Sequence, residues 1–156
     1  MNKTHDIEII PYQAVYQQAF KSLNMEWLER YNLLEQVDVD MLNDPESHIL
    51  MDGGYIFLAR INNEIVGTAG LVKEEDNTCE LVKMCVHPDH RAKGISKLLI
   101  EACIAKAKES GADRIILFSN HQLQAAQELY KQYGFNYITL QDSYFVTADI
   151  KMELKI

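Results

Sequence analysis

No apolar run in the 156-residue chain approaches the roughly 20 residues that a membrane-spanning helix needs. The opening MNKTHDIEII has one basic residue and no apolar stretch leading to small residues, so it does not read as an export signal. Cysteine is scarce. Cys79, Cys85 and Cys103 form no CxxC pair, and an odd count in so short a chain argues against a disulfide framework. His87 and His90 lie close together, but no third or fourth ligand accompanies them, so no metal is expected. Basic residues are outnumbered, 15 Lys and Arg against 23 Asp and Glu. A formal charge of −8 is the wrong sign for a nucleic-acid binder, which draws most of its affinity from phosphate neutralisation. Two nucleotide-binding signatures, GxxxxGK[ST] and GxGxxG, are missing as well. These absences lead to the expectation of a cytoplasmic protein with no membrane and no nucleic-acid partner.

What remains is an ordinary globular composition, 47% apolar and 24% charged. There is no repeat, linker or low-complexity tract, so residues 1–156 are expected to form one domain. Residues 6–10 (DIEII) read as a short strand, and Pro11 suits a first helical turn. Tyr12 to about Tyr31 is helical in composition, with Phe20, Leu23, Trp27 and Leu28 on one apolar side. A short helix is predicted at Val39–Leu42, ended by Asp44-Pro45. Three strands then follow in succession: Tyr55–Arg60, Glu64–Lys73 across an Asn62-Asn63 turn, and Cys79–Val86, stopped by Pro88.

From about Gly94 to Ser110, Ile95, Leu98, Leu99, Ala102 and Cys103 recur at the helical period, and Gly111 caps the end. Arg114–Ser119 (RIILFS) reads as a strand buried on both faces. A helix over Gln122–Tyr133 ends at Gly134, and two strands close the chain near Phe135–Leu140 and Phe145–Leu154. A helical crossover between Cys79–Val86 and Arg114–Ser119 makes those two strands parallel. The order therefore predicts an α/β domain with a mixed sheet.

The segment VHPDHRAKGISKLLIEA sets Arg91, Lys93 and Gly94 between a buried strand and a helix start. Free N–H groups and the helix dipole favour an anion there, and Gly94 permits close backbone approach. Arg91 and Lys93 add positive charge to an otherwise acidic chain. A phosphate or pyrophosphate site is the physical expectation.

With RxxGxS following a strand that ends in V-x-P, this segment resembles the acetyl-CoA loop of GNAT acetyltransferases, usually [RQ]xxGx[GA]. AAQELYKQYGF is similar to that family's A-x-x-LY-x-x-x-GF block, and the element order agrees along nearly the whole chain. The resemblance implies a GNAT-like mixed, mostly antiparallel twisted sheet of six to seven strands with about four helices, splayed at the two central parallel strands. It implies acetyl-CoA as co-substrate and an acetyl group passed to a primary amine. It places the backbone of Met84, Cys85 and Val86 along the pantetheine arm, and the N–H groups of Arg91, Ala92, Lys93, Gly94, Ile95 and Ser96 on the pyrophosphate. Two positions depart from the pattern. Ser96 stands where Gly or Ala is commoner, and Leu123 stands where many members carry an Asn that contacts CoA; Asn120 is the alternative.

Transfer to an amine requires loss of the amine proton, stabilisation of an oxyanion and protonation of the leaving thiolate. Glu80 resembles the glutamate that histone acetyltransferases carry on the equivalent strand and is the candidate base. Strict pleat alternation would put Glu80, Val82, Met84 and Val86 on one face, and Leu81, Lys83 and Cys85 on the other. Apolar neighbours would raise Glu80 toward useful base strength, whereas pairing with Lys83 or Arg114 would make it structural. Tyr130, from the LY pair, is the candidate acid by resemblance, against a purely core role beside Phe135. The oxyanion would meet a strand N–H, that of Val86 or a neighbour.

Lys83 is unusual within a buried strand. It could bind an acidic substrate group, pair with Glu80, or snorkel to the surface, the favoured reading. Substrate-side candidates are Trp27, Tyr31 and Lys83, with Glu35, Asp38 and Asp40 as either a cation site or, preferentially, a solvated helix end. The alternatives to a small-molecule enzyme are a non-catalytic acyl-CoA sensor and a protein or peptide amine acetyltransferase. Some similar chains pair through their last strands, so a homodimer is possible here.

Overall fold

The computed structural model describes residues 6–141 and 143–156. Its elements in chain order are β1 (Glu8–Pro11), α1 (Gln17–Arg30), α2 (Gln36–Asn43), β2 (Tyr55–Ile61), β3 (Glu64–Lys73), β4 (Thr78–Val86), α3 (Ile95–Glu109), β5 (Arg114–Ser119), α4 (Gln124–Gln132), β6 (Asn136–Ile138) and β7 (Ile150–Lys155). The seven strands form one sheet in the order β1-β2-β3-β4-β5-β7-β6. All neighbours are antiparallel except β4 and β5, the pair joined by the α3 crossover. Because β7 lies between β5 and β6, the open edges of the sheet are β1 and β6.

Two apolar cores sandwich the sheet. The apolar stripe of α3, including Leu99, Ile100 and Cys103, packs with Leu81, Ile115, Leu117 and Met152 on one face, where Tyr130 of α4 joins it. On the other face Phe20 of α1 and Leu42 of α2 pack with Ile56, Leu58, Val82 and Cys85. Burial of these side chains, each stabilising by roughly 1.5–3 kcal/mol, fixes the helices against the strands.

Two features of the sheet position the site. The parallel pairing of β4 with β5 runs only through Thr78–Arg114, Cys79–Ile115 and Glu80–Ile116. Beyond Glu80 the two strands separate into a wedge, as expected for the splayed parallel pair. The second feature is a bulge. Thr68 of β3 faces Cys85, while Gly70 faces Val82, so two β4 residues oppose one on β3. Lys83 there has φ 54, the left-handed region that strains a non-glycine residue. The Thr68 hydroxyl donates to the Lys83 carbonyl at 2.6 Å and accepts from the Asn24 amide at 3.1 Å, pinning the bulge to α1.

The bulge overturns the strict alternation expected for β4. Val82 and Cys85 share the α1/α2 face, while Leu81 and Val86 share the other. Lys83 does not snorkel: its side chain is only 5% exposed and pairs with Asp38 of α2, itself 3% exposed. The last strand also differs. It begins at Ile150 rather than Phe145, because residues 143–149 serve as a loop whose backbone bonds side chains elsewhere, including Glu35.

Candidate active site

The turn into α3 bends through positive φ. Gly94 has φ +82, and a Cβ there would meet nothing within 4 Å, so conformation rather than space calls for glycine. Ala92 also sits at positive φ, 63. Both bends, with the first turn of α3, border a cleft of about 340 Å³. Arg91, Ala92, Gly94, Ile95 and Ser96 line it, with Met84, Cys85 and Val86 along its strand side. The Arg91 guanidinium lies 5.2 Å from the centre of the Trp27 ring, tying the turn to α1. Lys93 is not among the lining residues; its ammonium is 3.1 Å from His90 Nδ1.

The strand side presents free backbone polar groups. His87 N donates to Val66 O at 2.8 Å, so strand alternation directs the N–H and C=O of Val86 away from β3, into the wedge. A donor aimed into a gap between strands is what a developing oxyanion needs.

Within the wedge lies a second chamber of about 130 Å³. Leu33, Leu117, Phe118 and Phe145 supply apolar wall, and Asn24, Lys83 and Asp38 supply polar wall. Asn120, the alternative CoA contact, lines this chamber and not the first cleft. Its amide donates to Thr147 O at 2.8 Å and its Oδ1 accepts from Gln122 N at 3.0 Å. Of the substrate-side candidates, Lys83 lines the chamber, Tyr31 the cleft, and Trp27 both. Met84, Ala126 and Tyr130 are likewise shared by the two cavities. Tyr130 is 7% exposed, and burial pushes its hydroxyl well above the ordinary value of 10, so it stays a protonated donor at neutral pH.

Glu80 sits at the apex of the wedge, the last residue of β4 paired with β5. It is 1% exposed and lines neither cavity. Neither Lys83 nor Arg114 pairs with it; those two bind Asp38 and Glu153. Instead the Tyr144 hydroxyl donates to both its oxygens at 2.8 Å. Burial raises its pKa to about 8, with Glu74 adding to the rise and the Tyr144 bond and Lys83 opposing it.

Sequence reasoning missed the roof of the chamber. The loop after β6 is held down by Glu35, whose carboxylate accepts from Val146 N at 2.8 Å and from Thr147 N at 2.9 Å, and also from the Thr147 hydroxyl. Burial alone would raise the pKa of Glu35, but these donors outweigh it and hold the group below its usual range. At the far end Asp149 accepts from His121 N at 2.9 Å. Glu35 is therefore a latch, Asp38 is half of a buried pair, and only Asp40 is the solvated residue the sequence suggested, bonded to Gln36. A carboxylate 111 residues from its partners leaves no local signal.

The cleft at the turn into α3 and the chamber in the wedge share one wall at Met84 and Tyr130. Residues 12–135 match the family model for the acetyltransferase (GNAT) family, and the chain belongs to that family. It is similar to the uncharacterised N-acetyltransferase YvbK of Bacillus subtilis, 29% identical over 115 residues, which cover 72% of this chain and 74% of that protein. It is also similar to N-acetylaspartate synthetase of Rattus norvegicus, 30% identical over 106 residues, 67% of this chain but only 36% of that longer protein. A GNAT-family acetyltransferase of Staphylococcus aureus Mu50 has the same fold, with TM-score 0.86 at 27% identity, covering 96% of this chain and 98% of the other. The PaiA N-acetyltransferase of Thermoplasma acidophilum, solved in complex with coenzyme A, matches with TM-score 0.73 at 16% identity over 97% of this chain and 99% of that one. Among the described residues no helix is long and apolar enough to cross a membrane.

Proposed function

We propose that the protein moves the acetyl group of acetyl-CoA to the primary amine of a small molecule, with both substrates bound together. One observation carries this reading: Tyr130 and Met84 belong at once to the cleft beneath the anion-binding turn and to the roofed chamber in the wedge. A donor at such a junction can reach a leaving sulfur while an acceptor waits on the other side. The residues present suit the co-substrate. First-turn amides and Arg91 would hold a diphosphate, and Val86 would offer N–H and C=O to an amide-bearing arm. Acetyl-CoA, when bound, supplies the activated carbonyl.

The acceptor nitrogen bonds to that carbonyl carbon as the carbon–sulfur bond breaks. The nitrogen sheds a proton, the departing sulfur takes one from Tyr130, and Val86 N–H meets the charge that develops on oxygen. Glu80 is the proposed final acceptor of the amine proton. Standing behind the chamber wall, it receives the proton across at least one intervening group. A chamber of about 130 Å³ under a loop suits a small acceptor, whereas a protein substrate calls for an open groove.

The test is release of CoA, followed with a thiol reagent, across a library of amines. At least one amine is expected to raise release above hydrolysis, and Tyr130→Phe to lower kcat by about tenfold or more. Binding of acetyl-CoA without turnover of any amine would leave only a sensor module.

A further inference from the structure

The wall of the chamber carries two opposite charges that the acetyl-transfer chemistry does not use. Lys83 and Asp38 are each at least 95% buried, and both line the chamber. A buried ion pair is weak evidence for stability, because removing two charges from water offsets their attraction. This one also depends on a strained backbone, since the left-handed conformation at Lys83 is what turns the lysine toward α2. Backbone strain clusters at ligand clamps, and here it sits beside a paired charge on a cavity wall.

Neither charge is saturated. The ammonium of Lys83 has three N–H donors, and among the described residues Asp38 is its only hydrogen-bond partner. The Phe145 ring, 5.4 Å from that nitrogen, covers it without accepting a conventional hydrogen bond. Asp38 gives Oδ1 to Lys83 and accepts the backbone N–H of Glu35 on Oδ2 at 2.9 Å, leaving lone pairs on both oxygens. A ligand can therefore bind both groups without breaking the pair.

Resting on the acetyl-transfer reading, we propose that the acceptor is a zwitterionic α-amino acid with an apolar side chain, its carboxylate held by Lys83 and its ammonium by Asp38 before transfer. A zwitterion adds one charge of each sign to a wall that already balances one of each. A simple amine would answer Asp38 alone, and a dicarboxylate or polyamine would leave an excess charge. Leu33, Leu117, Phe118 and Phe145 then surround the side chain.

Matched acceptors test this with the wild-type protein: leucine, leucinamide and 3-methylbutylamine, and the corresponding phenylalanine set, each read as kcat/KM for CoA release. The amino acid is expected to exceed both its amide and its decarboxylated amine by about tenfold or more, the usual penalty for leaving a charged site unanswered. The amide has the least basic amine of the three and so the most free base at neutral pH, so a preference for the amino acid over its amide cannot come from basicity; the decarboxylated amine is the most basic, so that comparison counts only alongside the amide. In a Lys83→Met/Asp38→Asn double variant, confirmed as folded by circular dichroism, the ratio of amino acid to amide is expected to collapse to one or below. Turnover of the decarboxylated amines equal to or better than that of the amino acids overturns the zwitterion assignment and leaves acetyl transfer standing. No release with any amine, in protein that binds acetyl-CoA, removes the enzyme reading and the acceptor assignment together.

Discussion

Replacing Glu80 by glutamine removes a buried titration while keeping the shape and the Tyr144 bond, because the new amide oxygen still accepts from that hydroxyl. In the folded protein Glu80 titrates at about 8 rather than 4.5. Between those values the folded chain holds a proton that the unfolded chain has released, so the unfolded state binds fewer protons and stability falls as pH rises. At about 1.4 kcal/mol for each tenfold change in proton affinity, the whole interval is worth several kcal/mol, most of it accruing between pH 5 and pH 8. That is a large part of the 5–15 kcal/mol a domain usually has. The other groups facing Glu80, namely Tyr144, Glu74 and Lys83, are common to both proteins and cancel in the difference. Urea unfolding of wild type and Glu80→Gln at 25 °C, repeated from pH 5 to 8, reads the effect directly. The wild type should fall away from the variant as pH rises. Curves that stay parallel within about 1 kcal/mol would mean that Glu80 ionises like an exposed carboxylate. Its proposed place as proton acceptor is tested separately: unchanged kcat/KM in Glu80→Gln from pH 6 to 9 would end that assignment.

Glu35→Ala frees the loop over the chamber by removing the acceptor of Val146 N and Thr147 N. We expect KM for the amine to rise several-fold while KM for acetyl-CoA barely moves; equal rises in both would refute a latch confined to the chamber. Thr68→Val takes the hydroxyl from the half-buried Lys83 carbonyl and the buried Asn24 amide. It should destabilise the protein by about 1–3 kcal/mol, visible as a lowered Tm, and a neutral result would show that the bulge holds itself. Gly94→Ala forces an L-residue to φ +82 and should cost about 1–2 kcal/mol. Because the strain falls on the anion turn, calorimetry should show weaker acetyl-CoA binding; unaltered affinity would move the diphosphate elsewhere.

Local pattern was enough for most of the architecture. Alternation and helical period run over a few neighbours, so the meander, the α3 stripe and the parallel crossover could be read directly, and β3 begins and ends where the sequence placed it, at Glu64 and Lys73. The glycine turn into α3 was equally legible, because Gly94 acts through backbone conformation within one helical turn. Tertiary structure decided everything that depends on distant partners. The bulge at Lys83 arises from a register mismatch between two strands, and it reversed the faces assigned to half of β4. Phe145 read as the start of a strand, but its neighbours' amides found the Glu35 carboxylate instead of a strand ladder. A pair such as Lys83 and Asp38, 45 residues apart, becomes visible only once two elements close over the same cavity, because burial, unlike periodicity, belongs to the folded chain as a whole.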